Sequence, residues 1–124
     1  MEVYFDSAAT GKVLPEAVET TVKVMTEVYG NPSSASVLGI EAGNVLKKAQ
    51  EDIAKIINAE PSEIYFTSGG TEGDNCAIFG TAYGYRRSGK HIITTNTEHP
   101  AINLPLEALK EEGFEIEKIG VDKK

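Results

Sequence analysis

The chain has 124 residues, a formal net charge of −7, and 40% hydrophobic and 25% charged residues, which suits one folded domain. The negative charge argues against a nucleic-acid backbone or an anionic membrane surface as a partner. One cysteine and two histidines predict neither an internal disulfide nor a metal site. The acidic start predicts no signal peptide, and since no targeting signal is visible, the expected location is the cytoplasm.

The first half of the chain predicts one brief strand and two helices. Residues 3–5 are apolar and are expected to form the strand. Pro15 favours the start of a helix that ends by Gly30. A longer helix carries apolar residues at helical spacing over 42–56 and ends near Asn58.

The second half of the chain alternates strands with helices. Strands are predicted over 64–66, 91–95 and 114–121, with one helix over 71–86 and another that stops at Gly113. The order β-α-β-α-β predicts parallel strands. The fold class is therefore α/β, an incomplete doubly wound sheet with mostly parallel strands.

A glycine turn follows the first of these strands. Ser68-Gly69-Gly70-Thr71 joins the strand to a helix, so free N–H groups of Gly70 and Thr71, with the Thr71 hydroxyl, can bind a phosphate. The alternative is that the glycines only form the turn and Thr71 only lies near a helix cap. The spacing of the glycines matches neither the dinucleotide-binding pattern nor the Walker pattern, which disfavours a dinucleotide and a nucleoside triphosphate as the ligand.

The helix after this turn carries small residues on one face. Gly73, Ala77, Gly80 and Gly84 are spaced as a stripe, which predicts a seam where another backbone approaches closely. Cys76 lies beside the stripe and is interpreted as a small buried residue, not a nucleophile.

The two histidines differ in their predicted surroundings. His99 follows the carboxyl end of the 91–95 strand, the edge at which open α/β sheets bind ligands, and the glycine turn ends its own strand at the same edge. His99 is therefore a site candidate that can stack on a flat ring or move a proton. His91 opens its strand and is interpreted as a solvent-facing residue.

Several short motifs lie along the chain in the same order as in a known family. They are Val3-Tyr4-Phe5-Asp6 with Ala9-Thr10, Tyr29-Gly30-Asn31-Pro32-Ser33-Ser34, Glu63 to Glu72 with Asp74-Asn75, Gly89 to Thr95 with Glu98-His99-Pro100-Ala101, and Val121-Asp122. Through them the chain resembles the N-terminal part of NifS/IscS-like cysteine desulfurases. These belong to the class-V aminotransferase group of fold-type I enzymes that use pyridoxal 5′-phosphate (PLP).

The resemblance implies roles for the candidate residues. Gly70 and Thr71 would bind the PLP phosphate, and His99 would stack on the pyridine ring and serve as a catalytic group. Ala9 and Thr10 would lie near the substrate. The implied reaction converts L-cysteine to L-alanine and passes the sulfur, as a persulfide, to a sulfur-acceptor protein in iron–sulfur cluster assembly. The complete enzyme is expected to be a homodimer.

The resemblance also implies a division of the chain and a missing group. Residues 1–14 would belong to the small domain and active-site loop, and residues 15–124 to the first part of the PLP-binding large domain. In this family the Schiff-base lysine lies in a Ser-x-His-Lys motif, which the 124 residues lack, and the sulfur-accepting cysteine lies in a later domain. We therefore expect these residues alone to be inactive.

The sequence leaves alternatives to the cysteine desulfurase function open. They are a selenocysteine lyase, an aminotransferase, or a non-catalytic module that associates with a full-length subunit.

Overall fold

A computed structural model describes residues 3–122 of the chain. The chain divides into two compact units, the first ending at Tyr65 and the second beginning at Phe66. The first two residues, which belong to the acidic start interpreted above, lie outside the described part. Within residues 3–122, no helix combines the length and the apolar character that a membrane crossing requires.

The first unit is helical. It contains α1 (Pro15–Thr26), α2 (Val37–Ile57) and a short 3-10 helix (Pro61–Glu63). The two predicted helices are confirmed, although α1 stops earlier than the expected end at Gly30. The end of α2 is as predicted, because Asn58 adopts the left-handed conformation, with φ of 55°, that terminates helices.

The loop between α1 and α2 is held by close backbone approach. The Ser34 N–H donates to the Asn31 carbonyl at 2.9 Å, and the Ser36 hydroxyl accepts from the Gly39 N–H at 3.2 Å. A methyl group on Gly30 would meet backbone atoms of Leu38 and come within 2.7 Å of the Gly39 nitrogen. Glycine at position 30 is therefore a packing requirement.

The second unit alternates helices and strands. It contains α3 (Gly70–Tyr85), β1 (His91–Thr95), α4 (Pro100–Glu111) and β2 (Glu115–Ile119). The strands β1 and β2 pair in parallel, with His91 opposite Glu115 and Thr95 opposite Ile119. The predicted helix–strand alternation is confirmed here, and so is the parallel pairing.

The core of the second unit lies where α3 and α4 meet the start of β2. Leu109 is fully buried and Leu106 is 2% exposed, and both belong to one buried cluster with Ala82 and Phe114. Five partly buried apolar side chains surround this cluster: Ile78, Phe79, Ile92, Ile102 and Ile116. Because α4 provides both leucines, its position depends strongly on this packing.

The helices α3 and α4 run in the same direction. Near their N-terminal ends the Asn75 side-chain amide faces the Ala101 carbonyl, with an N–O distance of 3.5 Å. Near their C-terminal ends the Tyr83 hydroxyl donates to the Glu112 carboxylate at 2.9 Å. The positive ends of both helix dipoles therefore lie at the same end of this unit.

Two predicted strands are absent from the described residues. Residues 3–5 and 64–66 form no ladder there, although Ile64 has extended dihedrals of −95° and 119°. A strand is stabilised by hydrogen bonds to a neighbouring strand, and neither segment has such a neighbour within residues 3–122. The predicted three-stranded arrangement is therefore a two-stranded sheet here.

The predictions for the small-residue face of α3 are also wrong for this part of the chain. Methyl groups on Gly80 and Gly84 would have no neighbour within 4 Å, and one on Gly73 would meet only the Thr67 hydroxyl at 3.6 Å. Cys76 on the same helix is exposed, not buried. Within residues 66–122, no element covers this face of α3.

Candidate functional site

The N-terminus of α3 presents unused hydrogen-bond donors. Gly69 precedes the helix with an extended backbone and has no side chain to cap it. The Gly73 N–H donates to the Gly69 carbonyl at 3.1 Å, whereas among the described residues the N–H groups of Gly70, Thr71 and Glu72 have no acceptor. Thr71 is exposed, so its hydroxyl lies beside these donors in contact with solvent.

Other helices of the chain begin differently. Ser36 caps α2, and His99 caps α4. The start of α1 also lacks a side-chain cap, but Pro15 stands there and removes one donor. The start of α3 thus combines free N–H groups, an adjacent hydroxyl and the positive end of a helix dipole, which together favour an anion.

The glycine turn itself is held by Glu72. Its carboxylate accepts from the Ser68 N–H at 2.6 Å and from the Ser68 hydroxyl at 2.7 Å. Both bonds lower the pKa of Glu72 below its usual value, and the bond from the Ser68 hydroxyl has the larger effect. Glu72 therefore orders the turn from one side while leaving the donors of Gly70 and Thr71 free.

His99 occupies the N-cap position of α4. Its Nδ1 accepts from the Ala101 N–H at 3.1 Å, so that nitrogen carries no proton and the proton of the neutral ring is on Nε2. The ring is exposed. Next to it, the Glu98 carboxylate accepts from the Thr95 hydroxyl at 2.7 Å, and the Glu98 carbonyl accepts from the Asn103 amide at 2.8 Å.

The starts of α3 and α4 meet at a shallow groove. Its lining comes from the two helices alone: Thr71, Asn75, Phe79, Pro100, Ala101, Leu104, Pro105 and Ala108. Thr71 lies at one wall, and Pro100, the residue after His99, lies at the other. The structure thus brings the predicted phosphate-binding turn and the predicted ring-stacking histidine to neighbouring helix ends.

The two predicted substrate residues belong to the first unit. Ala9 and Thr10 form an exposed turn in which both N–H groups donate to the Asp6 carbonyl, at 3.1 and 3.3 Å. The Tyr4 hydroxyl closes the turn by bonding to the carbonyls of Asp6 and Thr10, at 2.8 and 3.1 Å. Their proximity to substrate stays a prediction.

Two residues near the site had no assigned role in the sequence. Glu72 bonds back across the turn, and Asn75 extends its amide toward α4 while also bonding to the Thr71 carbonyl at 2.8 Å. The N-cap role of His99 had a signal in the sequence, because Pro100 directly follows it and proline favours the first helical position. Asn75 belongs to the Asp74-Asn75 motif of the resemblance, but its bond to Ala101 had no such signal, because that partner is distant in sequence.

The second histidine lies outside this site. His91 begins β1 and is exposed, in agreement with its interpretation. Its Nε2 lies 3.1 Å from the Glu117 carboxylate on β2. This pair joins the two strands on their solvent-facing side and leaves His91 without a place in the groove.

The chain belongs to the aminotransferase class-V family, which it matches over residues 3–124. It is 48% identical over 120 residues to a cysteine desulfurase IscS of Neisseria meningitidis serogroup C, covering 96% of this chain and 30% of that relative. The resemblance to cysteine desulfurases is therefore confirmed. The chain spans about 30% of the length of that relative.

Solved structures agree with the predicted fold class. A NifS-like protein superposes with a TM-score of 0.87 at 39% identity, covering 96% of this chain and 33% of that one. A structure described as SspA in complex with cysteine gives a TM-score of 0.84 at 34% identity, with 94% and 33% coverage. The prediction of the α/β fold of PLP-dependent enzymes is thus confirmed.

Proposed function

We propose that these residues bind PLP within a cysteine desulfurase. The observation that carries the proposal is the uncapped start of α3 next to the His99-capped start of α4. The donor set fits the cofactor, because two N–H groups and a hydroxyl suit a phosphate dianion at a helix N-terminus. The desulfurase relatives of this family support the same assignment.

Each site residue has a distinct role in this proposal. Gly70 and Thr71 bind the phosphate through their N–H groups, and the Thr71 hydroxyl donates one more bond. The exposed ring of His99 stacks on the pyridine face, and its Nε2 holds a proton that can be transferred. Ala9 and Thr10 lie near the carboxylate of the substrate.

The proposed reaction converts L-cysteine to L-alanine and moves its sulfur onto an acceptor thiol, which becomes a persulfide. PLP, when bound, supplies an electron sink for the bonds around the substrate's α-carbon. The protein complexed with cysteine among the structural neighbours supports this substrate. We further propose a homodimeric, cytoplasmic enzyme that delivers sulfur to iron–sulfur cluster assembly, with residues 1–14 in the small domain and 15–124 in the large domain.

Phosphate recognition by Thr71 can be measured by replacing it with valine. Pyridoxamine 5′-phosphate is the probe, because it lacks the aldehyde that would react with lysines. Loss of a hydrogen bond to a charged group is expected to weaken its binding about 10- to 100-fold. Pyridoxamine, which lacks the phosphate, is expected to bind both proteins equally in calorimetric titrations.

Two further variants sharpen this test. Gly70→Pro removes one N–H donor at a helical position that tolerates proline. It is therefore expected to weaken the binding of pyridoxamine 5′-phosphate and to leave the binding of pyridoxamine unchanged. Thr81→Val makes the same change as Thr71→Val on the exposed face of α3 and is expected to have no effect. Equal losses for the phosphorylated and unphosphorylated probes would refute the phosphate assignment.

We also propose that the 124 residues alone do not catalyse desulfuration. They lack the Ser-x-His-Lys motif whose lysine would anchor PLP covalently. With L-cysteine and PLP, alanine formation is expected to stay at the rate measured without protein. Alanine above that background, detected by amino-acid analysis, would contradict this proposal.

A further inference from the structure

The starts of α3 and α4 are joined by one side chain. The Asn75 amide nitrogen lies 2.8 Å from the Thr71 carbonyl and 3.5 Å from the Ala101 carbonyl. The first bond stays within α3, and the second crosses to α4. Among the hydrogen bonds of the described residues, it is the one side-chain bond that links the N-terminal parts of these two helices.

The surroundings of Asn75 suit a bridging role. Asn75 is half-buried in the groove, and Ala101 is 6% exposed. Each of the two carbonyl groups that Asn75 contacts lies next to a group that is a candidate for binding the ligand. Thr71 provides donors for the phosphate, and the Ala101 N–H bonds to the ring of His99 at 3.1 Å.

The bridge therefore connects two groups that would bind opposite ends of one molecule. The far ends of the helices are joined separately, by Tyr83 and Glu112. With both ends joined, α3 and α4 have little freedom to slide past each other. We expect that loss of the Asn75 bridge lets the start of α4 shift relative to the start of α3 while the core around Leu109 stays packed.

We propose that Asn75 is a positioning residue that fixes the separation between the phosphate donors and the His99 ring. This inference rests on the proposed PLP-binding function and assigns Asn75 no contact with the ligand. It predicts a specific pattern of binding. A ligand that spans both helix starts depends on Asn75, whereas a ligand that occupies only the α3 start does not.

Asn75→Leu tests this pattern, because leucine is similar in size and cannot form the bridge. Binding of pyridoxamine 5′-phosphate is expected to weaken about 3- to 10-fold, the ratio that corresponds to one ordinary hydrogen bond. Binding of inorganic phosphate alone is expected to change less than twofold. Equal weakening of both ligands would show a general structural defect and would overturn the proposal, as would unchanged binding of both.

Asn75→Asp and Asn44→Asp form a matched pair that controls for added charge. The first replaces the bridging donor with an acceptor facing two carbonyls, and the second adds the same charge at an exposed position of α2. Only Asn75→Asp is expected to raise the ratio of the pyridoxamine 5′-phosphate dissociation constant to that of phosphate. The same rise in both variants would overturn the positioning role.

A measurement without ligand tests the bridge separately from the proposed function. In the full chain, the side-chain amide protons of Asn75 are expected to exchange with solvent at least about threefold more slowly than those of exposed Asn44, as measured by NMR. Equal rates would refute the bridge even if PLP binds. If the unaltered chain binds neither pyridoxamine 5′-phosphate nor phosphate while the Asn75 amide protons exchange slowly, the proposed function is refuted and the bridge is not.

Discussion

Replacing Leu109 with alanine is expected to lower the free energy of unfolding of the second unit by about 2–5 kcal/mol. Leu109 is completely buried in the cluster that also contains Ala82, Leu106 and Phe114. Alanine would leave a cavity that these neighbours fill only in part. Urea denaturation followed by circular dichroism would measure the loss.

The same helix offers a matched control for this change. Leu104 is 68% exposed, so Leu104→Ala removes the same atoms from a largely solvated position. It is expected to change the free energy of unfolding by less than about 0.5 kcal/mol. Similar losses for the two variants would contradict the assignment of Leu109 to the core.

The Gly30→Ala substitution is expected to destabilise the first unit by about 1–3 kcal/mol. Its methyl group would meet the backbone of Leu38 and lie within 2.7 Å of the Gly39 nitrogen. Because backbone atoms cannot rotate aside as a side chain can, the start of α2 must move. Thermal unfolding and hydrogen exchange of the first turn of α2 would measure the effect.

Gly11→Ala is the comparison for this substitution. Gly11 also lies in a loop of the first unit, but a methyl group there would have no neighbour within 4 Å. We expect unchanged or slightly higher stability, since alanine restricts the unfolded chain more than glycine does. A loss equal to that of Gly30→Ala would show that close approach is not the cause.

The helices of this protein could be predicted because their signals are local. Pro15, Pro100 and the glycines around position 70 mark helix starts, and Asn58 and Gly113 mark helix ends, where their φ angles are 55° and 86°. A helix satisfies most of its backbone hydrogen bonds within itself. Its existence can therefore be inferred from neighbouring residues alone.

The strands show where local inference fails. The apolar run at residues 64–66 resembles the one that forms β1, but only β1 has a parallel partner in the described part of the chain. A strand depends on donors and acceptors from another segment, and the residues of the strand do not encode whether that segment lies alongside. The same reason explains the open face of α3, where the glycine stripe predicted a neighbour.

The sequence by itself determined the α/β class of this protein, the positions of its four helices, and the candidate groups at Gly70, Thr71 and His99. Those features follow from periodicity, helix-terminal residues and motifs. Only the tertiary structure decided how closely the starts of α3 and α4 pack, and that Asn75 bridges them. The reason is that their packing depends on contacts between residues far apart in the chain, which neither periodicity nor capping rules describe.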